Sequence, residues 1–161
     1  GTPFSVLFLD LDGFKLVNDS LGHQMGDRVL KSVAREILPL LRGTDMAARF
    51  GGDEFLILLS DTDPEEAKLA AQRVQEALNT VREFDGHEVV TRASIGIASS
   101  AVEYQTADEV LRDADAAMYR AKTSEPGTVA YFDVPMHESA VRRATLATRL
   151  RRSPRRRSRV A

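Results

Sequence analysis

The 161-residue chain contains no cysteine, which excludes a disulfide scaffold, a thiolate metal site and a cysteine nucleophile, and fits a reducing compartment. It holds only three histidines, so Ser-His-Asp catalysis has few candidates. No run approaches the ~18 consecutive apolar residues of a membrane span, and the first residues lack the basic-then-apolar layout of a signal peptide. A cytoplasmic location is the expectation. No internal repeat is visible. What is present is ordinary globular composition, 43% hydrophobic and 29% charged, in a length that suits one domain with a sizeable core. The formal net charge of −2 conceals an asymmetry. Nine arginines (142, 143, 149, 151, 152, 155, 156, 157 and 159) fall within residues 142–161, which hold no acidic residue. The first 141 residues therefore carry 13 basic against 24 acidic groups, an acidic body with a basic tail.

Residues 4–9 form a short apolar run ending at Asp10, which reads as a buried strand. A polar stretch containing Asn18-Asp19-Ser20 and Gly22 follows. A helix is expected from about 26 to 41, with Val29/Leu30, Val33, Ile37 and Leu40/Leu41 as its apolar stripe. Strands at 45–50 and 53–59 flank Gly51-Gly52, a two-residue hairpin signal, and the second arm is apolar enough to be buried on both faces. Asp63-Pro64-Glu65-Glu66 opens a helix to about residue 80. Gly86 divides a small hairpin at 82–85 and 87–91, and residues 92–99 make another strand. Thr106 with Glu109 is a capping box for a helix to about 123; Pro126-Gly127 ends it, and 128–132 is a last strand. Helices on one side and strands with mixed connections suggest an α/β sandwich with a mostly antiparallel sheet.

The chemistry sits in carboxylates at strand ends. Asp10 and Asp12 terminate the first strand, and Asp53 and Glu54 follow the glycine pair. An unpaired charge beside a core is costly, and two such pairs brought together would raise a pKa unless a cation compensates. Oxygen-only ligands select a hard ion such as Mg²⁺, bound through one or two carboxylates plus substrate phosphates. Gly51-Gly52 reads either as a tight turn needing positive φ or as a place where a phosphate or base approaches the backbone.

The run Gly51-Gly52-Asp53-Glu54-Phe55 is the signature of the GGDEF family of diguanylate cyclases, and other segments resemble the same family. They are Leu9–Asp19, Leu21–Asp27, Ser94-Ile95-Gly96-Ile97 and Ala114–Lys122; together the similarity spans about residues 4–133 in the family's order and spacing. The resemblance implies a palm-like α/β (α+β) fold with a central, mostly antiparallel five-stranded sheet flanked by helices. It implies a cyclase that condenses two GTP into cyclic di-GMP and releases two pyrophosphates, each GTP held by one subunit of a homodimer. By motif position, Asp10, the Leu11 carbonyl, Asp53 and Glu54 would ligate Mg²⁺ (or Mn²⁺), with Asp53 and Glu54 also catalytic. Lys15 and Lys122 would contact phosphate, Gly51 and Gly52 would admit the substrate, Asn18 and Asp27 would read the guanine edge, and His23 would lie close by. Arg42 and Asp45, helped by Arg73, would form an inhibitory product-binding site.

Each residue also has a plainer structural reading. Lys15 could be a solvated helix residue, Asn18 a turn former, His23 a loop shaper and Asp27 a helix N-terminal charge. Arg42 and Asp45 could be a helix-end arginine and a strand-start aspartate.

Three departures bear on activity. The family's first helix would lie upstream of Gly1, Pro126 stands where relatives carry a phosphate-binding arginine, and no sensory or dimerising domain is recognised within these 161 residues. The alternative is a weak or inactive module that binds GTP or cyclic di-GMP to regulate an attached domain. Residues 134–150 resemble the connector to an EAL phosphodiesterase domain, while 151–161 read as a disordered tail. That tail lacks the aromatic interleaving of a base-stacking surface, so no specific nucleic acid is expected.

Overall fold

The computed structural model describes residues 1–133. The connector helix expected over 134–150 and the basic tail lie outside them. Five strands form one sheet in the order β2 (Met46–Arg49), β3 (Glu54–Ser60), β1 (Phe4–Leu11), β6 (Ala93–Ser99), β7 (Val129–Tyr131). All neighbours are antiparallel except β6 and β7. A separate hairpin pairs β4 (Thr80–Phe84) with β5 (His87–Thr91) through Asp85-Gly86, both at positive φ, as a tight hairpin turn requires.

Because side chains alternate along a strand, the sheet has two working faces. Leu7, Leu9, Ile57, Leu59, Ile95 and Ile97 point to one face and are covered by α2 (His23–Ile37) and α3 (Pro64–Leu78). Val6, Phe8 and Ala98 point to the other, against Val110, Ala114, Ala117 and Met118 of α4 (Ala107–Ser124). Helices therefore lie on both faces rather than on one side as the sequence pattern suggests, because β1 is apolar at successive positions and is buried along both of its sides. The capping boxes foreseen at Asp63/Glu66 and Thr106/Glu109 both form. Gly96 sets how closely α4 approaches the sheet. A Cβ there would overlap the Ala114 carbonyl and the Met118 amide nitrogen, and would lie 2.8 Å from the Met118 Cα.

Several elements differ from the sequence reading. The polar stretch after β1 is a two-turn helix, α1 (Phe14–Leu21), which buries Phe14 and rests Val17 and Leu21 on the core. Its few apolar positions are enough because α2 lies against it. Gly22, at φ 86°, ends α1 and begins α2 ahead of the expected start. Pro39 lacks an amide hydrogen and cannot continue α2, so the helix ends at Ile37 and one 3₁₀ turn, Leu38–Leu40, follows. The Gly51-Gly52 hairpin is not a two-residue turn. Its loop runs from Phe50 to Asp53, the amides of Phe50 and Gly51 both donate to the Glu54 carbonyl, and neither glycine has positive φ. β3 is half-buried rather than buried on both faces, because α4 lies over β1 and β6 and covers Leu56 and Leu58 only in part. Among the described residues, no helix is long and apolar enough to cross a membrane.

Candidate active site

Cross-strand register assembles the site. Asp10 lies opposite Glu54 on one side and Ser94 on the other, so these three face α4 in a row at one end of the sheet. The Asp53 carbonyl accepts from the Leu11 amide at 3.1 Å, which fixes the glycine loop against the end of β1. From α4, Lys122 Nζ reaches Asp10 Oδ1 at 2.9 Å and neutralises the most enclosed carboxylate of the row. Arg49 folds back onto the loop, donating from Nε to the Gly51 carbonyl at 3.0 Å and from Nη2 to the Gly52 carbonyl at 2.9 Å. A Cβ at Gly51 would meet the Glu54 carboxylate, the mobile end of a side chain that would have to shift.

The charge balance is unfavourable at rest. Burial, then Asp10, pushes the Asp53 carboxyl above its ordinary value. Burial, then the neighbouring Asp10, Asp53 and Asp115, does the same to Glu54. Asp12 is also raised, mainly by burial, although the Ser94 hydroxyl donates to it at 2.9 Å and partly offsets this. Lys122 is raised despite its own burial, because it donates to Asp10 and lies near Asp12 and Asp53. Carboxylates that repel one another around one ammonium make a ready cation site. Among the described residues no three acidic or imidazole side chains form a complete metal cage. Mg²⁺ takes one or two carboxylates and leaves its other positions to substrate oxygens. The oxygen-only donors Asp10, Asp53, Glu54 and the Leu11 carbonyl fit such an ion.

The remaining candidates fall into two further groups. Asn18 of α1 lies over Gly26, where a Cβ would overlap its Oδ1, so α1 and α2 bring Asn18 beside Asp27. Asp27 borders a cavity of about 460 Å³ between α2 and β2, walled by Leu30, Ala34 and Phe55, with Arg49 at its rim. Arg42, Asp45 and Arg73 line a separate cavity of about 500 Å³ between the 3₁₀ turn, β3 and α3. Lys15 and His23 are exposed on α1 and at the start of α2, with no side-chain partner among the described residues.

Four contributors escaped the sequence reading. Ser94 and Arg49 act through cross-strand register and loop closure, which no local pattern announces. Thr62 is visible only once β3 and the Arg42 turn are seen side by side. Asp115 did leave a signal: it precedes Lys122 by seven residues, two helical turns, and so shares its face of α4.

The domain is a mixed α/β fold whose acidic strand end lies beneath a helix-borne lysine. The chain matches the family "Diguanylate cyclase, GGDEF domain" over residues 1–127 and belongs to it. It is 40% identical over 157 residues to the bifunctional diguanylate cyclase/cyclic di-GMP phosphodiesterase MucR of Pseudomonas aeruginosa, covering 98% of this chain and 23% of that protein. It is 41% identical over 118 residues to the probable diguanylate cyclase DgcC of Escherichia coli, covering 73% of this chain and 32% of that one. The chain thus spans about a quarter to a third of these relatives. Among solved structures, the GGDEF domain of TpbB (YfiN) from Pseudomonas aeruginosa superposes with a TM-score of 0.80 at 36% identity, covering 88% of this chain and 83% of that one.

Proposed function

We propose that the chain is a diguanylate cyclase that condenses two GTP into cyclic di-GMP as a homodimer, with product inhibition at Arg42 and Asp45. The observation that carries this reading is the row Glu54–Asp10–Ser94 closed by the glycine loop and capped by Lys122. Each half of the reaction joins a ribose 3′-oxygen of one GTP to the α-phosphorus of the other, breaks the bond to the β-phosphate bridging oxygen and releases pyrophosphate. Two such events close the ring, so two facing sites are required.

The residues divide the work. Asp53 or Glu54 holds the proton leaving the 3′-hydroxyl; their raised affinity for protons brings each closer to the working pH of a general base. Asp10, the Leu11 carbonyl, Asp53 and Glu54 would hold Mg²⁺ or Mn²⁺, which when bound neutralises charge developing on the phosphoryl group. Lys122 and Lys15 take phosphate oxygens, and the Gly51-Gly52 backbone leaves room for them. Asn18 and Asp27 meet the guanine edge, which offers an acceptor at O6 and donors at N1 and N2. His23 lies near the bound nucleotide. Covalent linkage to a sensory or EAL domain agrees with the length of the relatives, and the chain acts in cytoplasmic second-messenger signalling.

The second reading is a GTP- or cyclic di-GMP-binding module without turnover. Pro126 favours it, because the turn after Lys122 supplies a Gly127 amide to Ser94 and no cationic side chain of its own between 123 and 127.

Guanine recognition is tested by titrating the chain with non-hydrolysable GTP and ATP analogues. The GTP analogue binds more tightly, and Asp27→Ala or Asn18→Ala narrows the preference about tenfold or more. Equal affinities for both nucleotides, unmoved by Asp27→Ala, would contradict the assignment.

A further inference from the structure

The Arg42 turn is more fully committed to the protein than a ligand-binding pair needs to be. The Asp45 side chain is only 2% exposed and both its oxygens are engaged. Oδ2 accepts from the Arg42 amide at 2.8 Å and from Arg42 Nε at 3.3 Å; Oδ1 accepts from the Ser60 amide at 3.2 Å. Arg42 Nη2 donates to the Ser60 carbonyl at 2.9 Å and also to the Thr62 hydroxyl. That hydroxyl, on a residue 2% exposed, donates in turn to the same Ser60 carbonyl at 2.9 Å. Among the described residues, Nη1 is the guanidinium nitrogen left without a partner. Arg42 lines the 500 Å³ cavity, and Arg73 contributes to its wall.

We propose that Thr62 is a positioning residue for Arg42: with Asp45 it locks the guanidinium so that Nη1 is the donor presented to a cyclic dinucleotide. The inference rests on the reading of this cavity as the product site. A planar guanidinium held at Nε and Nη2 loses little rotational freedom when a phosphate or a guanine acceptor arrives, and removing the hydroxyl frees it to turn.

Calorimetric titration of cyclic di-GMP into the full chain tests this. Thr62→Val or Thr62→Ala weakens binding about tenfold, the loss of one hydrogen bond to a charged group, and Thr62→Ser restores it. In an Arg42→Ala background Thr62→Val costs nothing more, because it acts through that arginine. A merely structural role would move the melting temperature and the affinity alike in both backgrounds. The proposal is overturned if the Thr62 variants bind as wild type, if Thr62→Ser behaves like Thr62→Val, or if the loss persists without Arg42. Absence of any cyclic di-GMP binding by the wild-type chain would overturn the product-site reading itself, and the assignment of Thr62 with it, while leaving GTP turnover as a separate result.

Discussion

Asp53→Asn is expected to lower cyclase turnover by roughly 10²–10⁴-fold, the range for loss of a positioned general base, while making the folded chain more stable. The two effects share one cause. Asp53 lies in a partly buried place, beside Asp10, where its ionised form is disfavoured. Its folded pKa is raised, so the penalty is present at pH values above the folded pKa and vanishes below the unfolded value, near pH 4. The amide keeps the shape and removes the charge. Thermal melts without divalent cation should show the variant above wild type by about 2 °C at pH 7, with the gap closing as the pH falls towards 4. Asp45 behaves oppositely. Its pKa is lowered, against the effect of burial, by the hydrogen bonds from Arg42 and Ser60, so its stabilisation holds above about pH 4 and is lost in acid. An Asp53→Asn variant less stable than wild type at pH 7, or one with full turnover, would rule out Asp53 as a general base held in a disfavoured charge state.

Gly96→Ala is expected to destabilise the domain by about 3 kcal/mol or more, though it adds a single methyl group. The new Cβ would run into the backbone of α4 at Ala114 and Met118, and backbone cannot rotate away as a side chain does. α4 must lift from β6, which lifts Lys122 from Asp10 as well, so turnover should fall along with stability. A loss of roughly 6–12 °C in melting temperature is the readout. An unchanged melting temperature would mean that α4 does not lie within a methyl group's width of the sheet.

The sequence exposed the parts of the domain that rest on short-range rules. The Asp63 and Thr106 capping boxes and a small hairpin turning at Gly86 are local signals, and each appears, with the first hairpin strand at 80–84 and Asp85 joining Gly86 in the turn. Asp10 was legible because an apolar run ended in it. The failures are equally physical. α1 has one buried residue, Phe14, and its stability comes from α2 rather than from its own pattern. Gly51-Gly52 resembles a tight turn, yet neither glycine has positive φ, and what lies over the first is the Glu54 carboxylate from β3. The engagement of Thr62 with Arg42 and of Ser94 with Asp12 depends on which strands are neighbours, and strand order is not written in any window of sequence.

The central claim is that this chain joins two GTP molecules across a pair of sites. It is tested most directly by incubating the purified chain with GTP and Mg²⁺ over a range of protein concentrations and identifying the products. The account predicts cyclic di-GMP with two pyrophosphates per ring, formed at a rate per chain that rises with protein concentration and is lost in Asp53→Asn. GTP that binds but yields no cyclic di-GMP at any concentration would contradict it, and would leave the domain as a nucleotide-binding module.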